Sequence, residues 1–192
     1  TDKNQFNDEK DIFWASGACL FIRSKVYHEL GGLDEDYFAH QEEIDLCWRT
    51  HNKGYNIKYV GSSTVYHVGG ATLQETNPQK TFLNFRNSLF TLYKNYRGNY
   101  LVTKVAWRFC LDYIASVAFV INGDFKAAWQ VLKAQVHFLS KLGKMRRKRR
   151  ALKISAKNYA MNKAGIYNKS IVFSHFVKRK HRFSELEKNY FE

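Results

Sequence analysis

A chain of 192 residues is long enough for one hydrophobic core or one and a half. With 45% hydrophobic residues, 16% aromatic residues and a single proline, it is excluded from the disordered and linker-like classes. The net charge of +14 hides a division: residues 1–78 carry 7 Lys/Arg and 12 Asp/Glu, whereas residues 79–192 carry 24 and 5. Such asymmetry joins an acidic working segment to a basic interaction segment, with the join near Asn77-Pro78.

In chain order, the opening TDKNQFNDEK has no initiator methionine and no charged-then-apolar leader pattern, which is the expectation for a processed chain or a fragment. Residues 17–22, GACLFI, read as a short buried strand. Ser24 is placed to cap a brief helix that ends at Leu30 before Gly31-Gly32. An acidic and aromatic loop, LDEDYFAHQ, follows. Residues 42–52 then predict a helix with three acids in its first turn and Gly54 just past its end. Tyr55, Ile57 and Tyr59 alternate with polar neighbours as a half-buried strand, and TVYHV at 64–68 reads as another.

Beyond Pro78 the period changes. Phe82, Phe85, Leu89, Tyr93 and Tyr96 predict an amphipathic helix over 80–96. Residues 101–121 are apolar on nearly every side, except for a stripe of Lys104, Arg108, Asp112 and Ser116, each four apart. Asp124 caps a third predicted helix with Phe125, Ala128, Trp129, Leu132, Val136 and Leu139 on its apolar face and Gly143 as its stop. The run KMRRKRR at 144–150 follows, then a helical or partly disordered tail over 151–192. The organisation expected is therefore an acidic working segment over 1–78, an amphipathic helical segment over 79–143 expected to associate with membrane, and a basic tail over 144–192. Cys19, Cys47 and Cys110 show no metal or redox spacing and predict buried, reduced thiols, as in a cytoplasmic protein.

Three groups carry chemistry. Glu42, Glu43 and Asp45 crowd the start of one helix, where the dipole favours their ionised form and their mutual repulsion raises at least one pKa. A carboxylate so placed serves as a general base towards a hydroxyl; the plainer alternative is ordinary dipole complementation, with Asp45 and Arg49 as an i,i+4 pair. His67, at a strand end beside Gly69-Gly70, suits either a metal or phosphate contact or a structural role. Trp14, with Gly17 and Ala18 behind it, suits either the wall of a sugar site or plain core.

Taken in order, WASGACLFIRSKVYHELGGLDEDYFAHQEEIDLCWR and KGYNIKYVGSSTVYHVGG resemble the second half of the catalytic domain of family 2 glycosyltransferases, the rhamnosyltransferase-like members in particular. The likeness runs over roughly residues 12–73 and rests on Gly17, Arg23, Gly31-Gly32-Leu33-Asp34-Glu35, Tyr37-Phe38, Glu42-Glu43-Ile44-Asp45-Leu46-Cys47-Trp48-Arg49 and His67, with Arg86-Asn87 extending it. The resemblance implies an α/β fold, the C-terminal half of a GT-A domain; the residues after Pro78 add to it a helical, basic segment expected to associate with membrane. It implies inverting transfer from a nucleotide-diphosphate sugar to a glycan or lipid-linked acceptor, in bacterial cell-surface polysaccharide synthesis. Glu43 would be the base, although the family usually has aspartate there, with Glu42 and Asp45 in reserve. Trp14, Gly17, Ala18 and Arg49 would be substrate contacts. A divalent cation, Mg²⁺ or Mn²⁺, would sit on the diphosphate with His67 as a ligand. The family's upstream Asp-x-Asp and nucleotide-binding βαβ unit do not precede residue 17, so the expectation is an incomplete enzyme.

The basic half predicts a partner as well. Residues 101–121 are too interrupted to cross a bilayer, so an interface-lying hairpin with 124–142 fits better; the plainer reading is a soluble helical cap. KMRRKRR beside it suits anionic lipid headgroups at the cytoplasmic face of an inner membrane. The rival is a non-catalytic basic protein that binds anionic membrane or nucleic acid, although no nucleic-acid-binding signature accompanies the run.

Overall fold

The computed structural model describes residues 7–67 and 77–191, and these are mostly helical. Strand β1 (Glu9–Asp11) pairs antiparallel with β2 (Lys58–Val60), Glu9 opposite Val60 and Asp11 opposite Lys58. Between them lie helix α1 (Ser24–Leu30), closed by Gly31 at φ 80°, and helix α2 (Glu42–Asn52). A left-handed residue after a helix satisfies its last carbonyls at little cost only when it is glycine. Helices α3 (Pro78–Asn95), α4 (Leu101–Ile121), α5 (Phe125–Ser140), α6 (Leu142–Ser155) and α7 (Ile171–Phe176) follow.

Caps explain several of these boundaries. Asn77 Oδ1 accepts from the Gln79 N–H at 2.9 Å with Pro78 in the first turn, and Asp124 Oδ1 accepts from the Ala127 N–H at 2.9 Å. Helix α3 is the hub and packs against α2, α4, α5 and α6. The core around it comprises Tyr37, Leu89, Phe90, Phe138 and Met145, with Phe82, Leu83 and Ala134 as a second cluster. Each of the larger of these side chains gains roughly 2 kcal/mol by leaving water.

Several expectations are corrected. Residues 17–22 form no strand: Gly17–Cys19 is a 3₁₀ turn, and after it Phe21 is exposed while Leu20 and Ile22 are half-buried. A buried strand needs neighbours for its N–H and C=O groups, and among the described residues the sheet has only two short strands. The apolar residues Leu20 and Ile22 instead line an open hollow of about 850 Å³ with Val26, Leu46 and Ile57. Residues 64–67 are exposed and outside any strand, and Val68 lies outside the described residues. The chain is thus richer in helix than the α/β expectation.

Helix α5 is turned relative to its predicted face. Its buried residues are Ala127, Ala128, Val131, Ala134 and Phe138; of the predicted face Ala128 is buried as expected, while Phe125, Trp129, Leu132, Val136 and Leu139 are exposed. Small side chains let α5 approach α3 and α4 closely, which the bulky stripe would prevent. Gly143 does not end a helix; it lies inside α6, which carries the basic run. All three cysteines are free, but only Cys47 is buried.

Candidate functional site

The loop between α1 and α2 is where the backbone departs furthest from ordinary conformations. Phe38 has φ 64° and ψ −58°, and the Ala39 N–H donates to the Tyr37 carbonyl at 2.8 Å, closing a γ-turn of the rarer positive-φ kind. His40 and Gln41 follow at φ 66° and 69°. Three such departures within four residues cost of order 1–3 kcal/mol each, so neighbouring groups must hold them.

Arg86 and Asn87 on α3 do so. Arg86 Nη2 donates to the carbonyls of Asp36 and Tyr37, both at 2.9 Å. The Asn87 amide donates to those of Tyr37, Ala39 and His40 at 3.1, 2.8 and 2.7 Å, and its oxygen accepts from Arg86 Nε at 2.9 Å. Clamped in this way, the loop leaves Phe38 78% exposed while Tyr37, one residue earlier, is fully buried. Gln41 then begins α2, so the loop geometry sets where Glu42 and Glu43 start.

A second network anchors the loop by charge. Asp45, fully buried on α2, accepts from Arg49 Nε at 2.9 Å, Asn95 Nδ2 at 2.7 Å and the Tyr37 hydroxyl at 3.1 Å, and lies 2.9 Å from Lys94 Nζ. Lys94 also pairs with Asp34, and Lys148 pairs with Asp34 at 2.6 Å and with Asp36, which Lys144 joins from the same helix. Partial burial works against the Asp34 charge, yet the bonds from Lys148 and Lys94 hold its carboxyl well below the usual range. The Asp36 carboxyl is likewise lowered, Lys144 and Lys148 overcoming its desolvation. Helix α6 is fixed besides by buried Met145 and by Arg149, whose Nη1 donates to the Tyr93 carbonyl at 2.7 Å. Lys144, Lys148 and Arg149 of the basic run are therefore partnered inside the protein, while Arg146, Arg147 and Arg150 are exposed.

The predicted residues separate accordingly. Arg49 is buried, and its other donors hold the carbonyls of Leu30 at 2.7 Å and Gly32 at 2.8 Å, closing the end of α1. Glu43 lies on the opposite side of this framework, partly buried, with Gly17 against it: a Cβ on that glycine would stand 3.8 Å from the Glu43 Cβ. Burial pushes the Glu43 carboxyl up, the neighbouring Glu42 charge adds to that, and backbone N–H groups and His40 pull the other way. Two buried atoms beside it, His40 Nε2 and Glu42 Oε2, have no hydrogen-bond partner among the described residues.

The segment bearing Trp14, Gly17 and Ala18 is pinned along α2. His51 stacks on Phe13 at 5.0 Å and its Nε2 lies 2.9 Å from the Phe13 carbonyl, and Trp48 meets the same ring edge-on. Trp14 itself is 46% exposed, and Gly17 and Ala18 are exposed. The structure thus brings Gly17 and Glu43 together and sets Asp45 and Arg49 into the interior. His67 is exposed, and among the described residues no three His, Cys, Asp or Glu side chains converge as a cation site. Lys94, Asn95 and the Asp34–Lys148 pairing were not singled out in the sequence; only the short Arg-Asn pair of α3 carried a signal.

No family model matches the chain, and no solved structure matches it. Among curated proteins it is similar to an N-acetylglucosaminyl-diphospho-decaprenol L-rhamnosyltransferase of Mycobacterium tuberculosis, 39% identical over 59 residues, which are 31% of this chain and 19% of that protein. A low-salt glycan biosynthesis hexosyltransferase of Haloferax volcanii is 25% identical over 126 residues, 65% of this chain and 36% of the relative. Rhamnosyltransferase WbbL of Escherichia coli is 28% identical over 65 residues, 34% of this chain and 25% of the relative. The curated relatives are rhamnosyltransferases and other glycosyltransferases, and the chain carries a region like theirs while spanning between about a fifth and about a third of their length.

Proposed function

We propose that this chain supplies the acceptor and base side of a family 2-type glycosyltransferase, with Glu43 as the general base of an inverting transfer. The observation that carries the reading is the Glu43 carboxyl itself: raised by burial, backed by Gly17 and set at the start of α2 by a strained, clamped loop. A base works best when its pKa approaches the operating pH, and burial beside a second carboxylate moves Glu43 that way.

In the reaction, Glu43 takes the proton of an acceptor hydroxyl as its oxygen bonds to the anomeric carbon, and the bond from that carbon to the nucleoside diphosphate breaks. Exposed Phe38 and Trp14 offer apolar faces for sugar rings, and Gly17 leaves room beside the carboxylate. Asp45 and Arg49 belong to the framework in this reading, because their polar atoms are spent on the fold. The GT-A topology is part of the same proposal, and so are a nucleotide-sugar donor and a glycan or lipid-linked acceptor in surface polysaccharide synthesis, which the names of the relatives support. A divalent cation would offset charge on the leaving diphosphate. The described residues do not assemble a site for it; His67 is the single ligand this reading assigns, and no step here depends on it.

The test is turnover of the whole enzyme with a nucleotide-diphosphate sugar, rhamnose being the first donor to try. Glu43→Gln should lower kcat by ~100-fold or more with donor binding unchanged, because an amide accepts no proton. Full activity of Glu43→Gln beside an inactive, folded Glu42→Gln would move the base by one position and sink this assignment.

A further inference from the structure

Helix α4 is built inside out. Apart from exposed Lys104, its polar stripe faces the protein: Asp112 is buried and paired with Arg108 at 2.6 Å, and Ser116 Oγ donates to the Ala128 carbonyl of α5 at 3.1 Å. Gln135 of α5 returns a bond to the Phe109 carbonyl at 3.2 Å. The outward surface of α4 instead shows Val102, Trp107, Tyr113, Ile114, Val117 and Ile121. Helix α5 continues it with the exposed stripe Phe125, Trp129, Leu132, Val136 and Leu139. Polar seams inside and apolar side chains outside are the arrangement that suits a surround less polar than water.

We infer that the outer face of the α4–α5 hairpin docks into the interface of a bilayer containing anionic lipid. Neither helix is long and apolar enough to cross, and no described helix is. An interface-lying hairpin needs an apolar face and a nearby cationic one, since a single weak anchor holds poorly. The cations are present: from Asp124 to Glu185 no acidic residue intervenes, and 17 Lys/Arg do. Of these, Arg146, Arg147 and Arg150 are exposed on α6, which begins directly after the apolar stripe of α5 ends.

The spacing of the α5 stripe, 125, 129, 132, 136 and 139, also fits a coiled-coil seam. Two features favour lipid over a second copy of the chain. The outward surface of α4 is apolar over far more than a narrow seam. A second copy would also bring the same uncompensated cations together, whereas an anionic surface complements them. This inference rests on no part of the transfer reading.

The experiment is co-sedimentation of the full 192-residue chain with phosphatidylcholine vesicles, with and without phosphatidylglycerol, across a salt series. It is run alongside tryptophan quenching by acyl-chain-brominated lipid and light scattering of the free chain. The parent should bind the anionic vesicles, and brominated chains should quench its fluorescence. Trp107→Phe with Trp129→Phe should remove that quenching. Trp129→Glu with Val136→Glu, both on the exposed face, should abolish binding while circular dichroism stays unchanged; the milder Val136→Gln should weaken it, which keeps the test alive if the double variant misfolds. Changing Arg146, Arg147 and Arg150 together to Gln should weaken binding to anionic vesicles by ~100-fold at low salt and far less at high salt. No binding to anionic vesicles overturns the inference. So does binding without quenching that duplex DNA competes away, which marks a generic polyanion surface. So does a dimer in solution that Trp129→Glu dissociates, which makes this face an interface between copies.

Discussion

Replacing Asp45 by asparagine separates framework from chemistry at the start of α2. The carboxylate is fully buried and meets Arg49, Lys94, Asn95 and the Tyr37 hydroxyl. An amide keeps one acceptor oxygen, but it turns N–H donors towards Arg49 or towards Lys94 and Asn95, so at least one donor faces a donor. Removing one partner of a buried ion pair costs about 3–5 kcal/mol. Both cations keep other partners here, Arg49 on the Leu30 and Gly32 carbonyls and Lys94 on Asp34, which places the expected loss near the low end, about 3 kcal/mol. Glu43→Gln, by contrast, puts a neutral group where burial already disfavours the charge, and stability should stay within about 0.5 kcal/mol or rise. Urea unfolding of both variants at neutral pH, followed by tryptophan fluorescence and far-ultraviolet circular dichroism with the m-value checked, gives the two numbers. If Asp45→Asn unfolds within about 1 kcal/mol of the parent, or Glu43→Gln costs more than Asp45→Asn, the division between framework and base is wrong.

Asn87→Ala strands the loop carbonyls it now bonds; at 1–3 kcal/mol for each buried group left unpaired, partly returned as the strained loop relaxes, the loss should be about 2–4 kcal/mol by urea titration, and a change under 1 kcal/mol would mean the loop holds itself. The Asp112 carboxyl is raised from 3.8 to about 6 because burial outweighs the Arg108 charge. The folded chain therefore holds that proton more tightly than the unfolded chain does. Its contribution is full below about pH 4 and is lost as pH rises through about 6. Relative to Asp112→Asn, which cancels every other titrating group, the parent should lose about 2–3 kcal/mol between pH 4 and pH 7, and parallel stability curves for the two would refute the shift.

The helices were legible where local rules act alone. Helix α2 runs from Glu42 to Asn52 as its acidic first turn and trailing glycine indicate, and Asp124 caps α5 as its position suggests. The orientation of α5 was not, because both of its stripes are apolar. Choosing the alanine-rich one as the core requires knowing how closely α3 and α4 approach. Residues 17–22 read as a strand because an apolar run says only that the residues avoid water, not that a neighbouring strand stands ready to pair. The basic run misled in another way. Its composition shows six cations, but three of them face Asp34, Asp36 and the Tyr93 carbonyl, and no short-range pattern couples residue 34 to residue 148. Of the site, the carboxylates at 42 and 43 were visible as a crowded helix start, whereas the clamp on their loop comes from a helix more than forty residues away.

That separation sets an order of events during synthesis. Asp34 and Lys148 lie 114 residues apart, and Asp36 and Lys144 lie 108 apart. At 5–20 residues added per second, the ribosome needs roughly 6–20 s between making the acidic loop and making the two α6 lysines that pair with it. Through that interval α1 and α2 can form, and α3 can deliver Arg86, Asn87 and Lys94, so Asp34 gains one partner while Asp36 still waits for Lys144 and Lys148. The acidic end of the loop is therefore the last part of it to be neutralised, and stalling translation before residue 144 would yield a chain in which the Arg86–Asn87 clamp can close while Asp36 lacks both of its lysines.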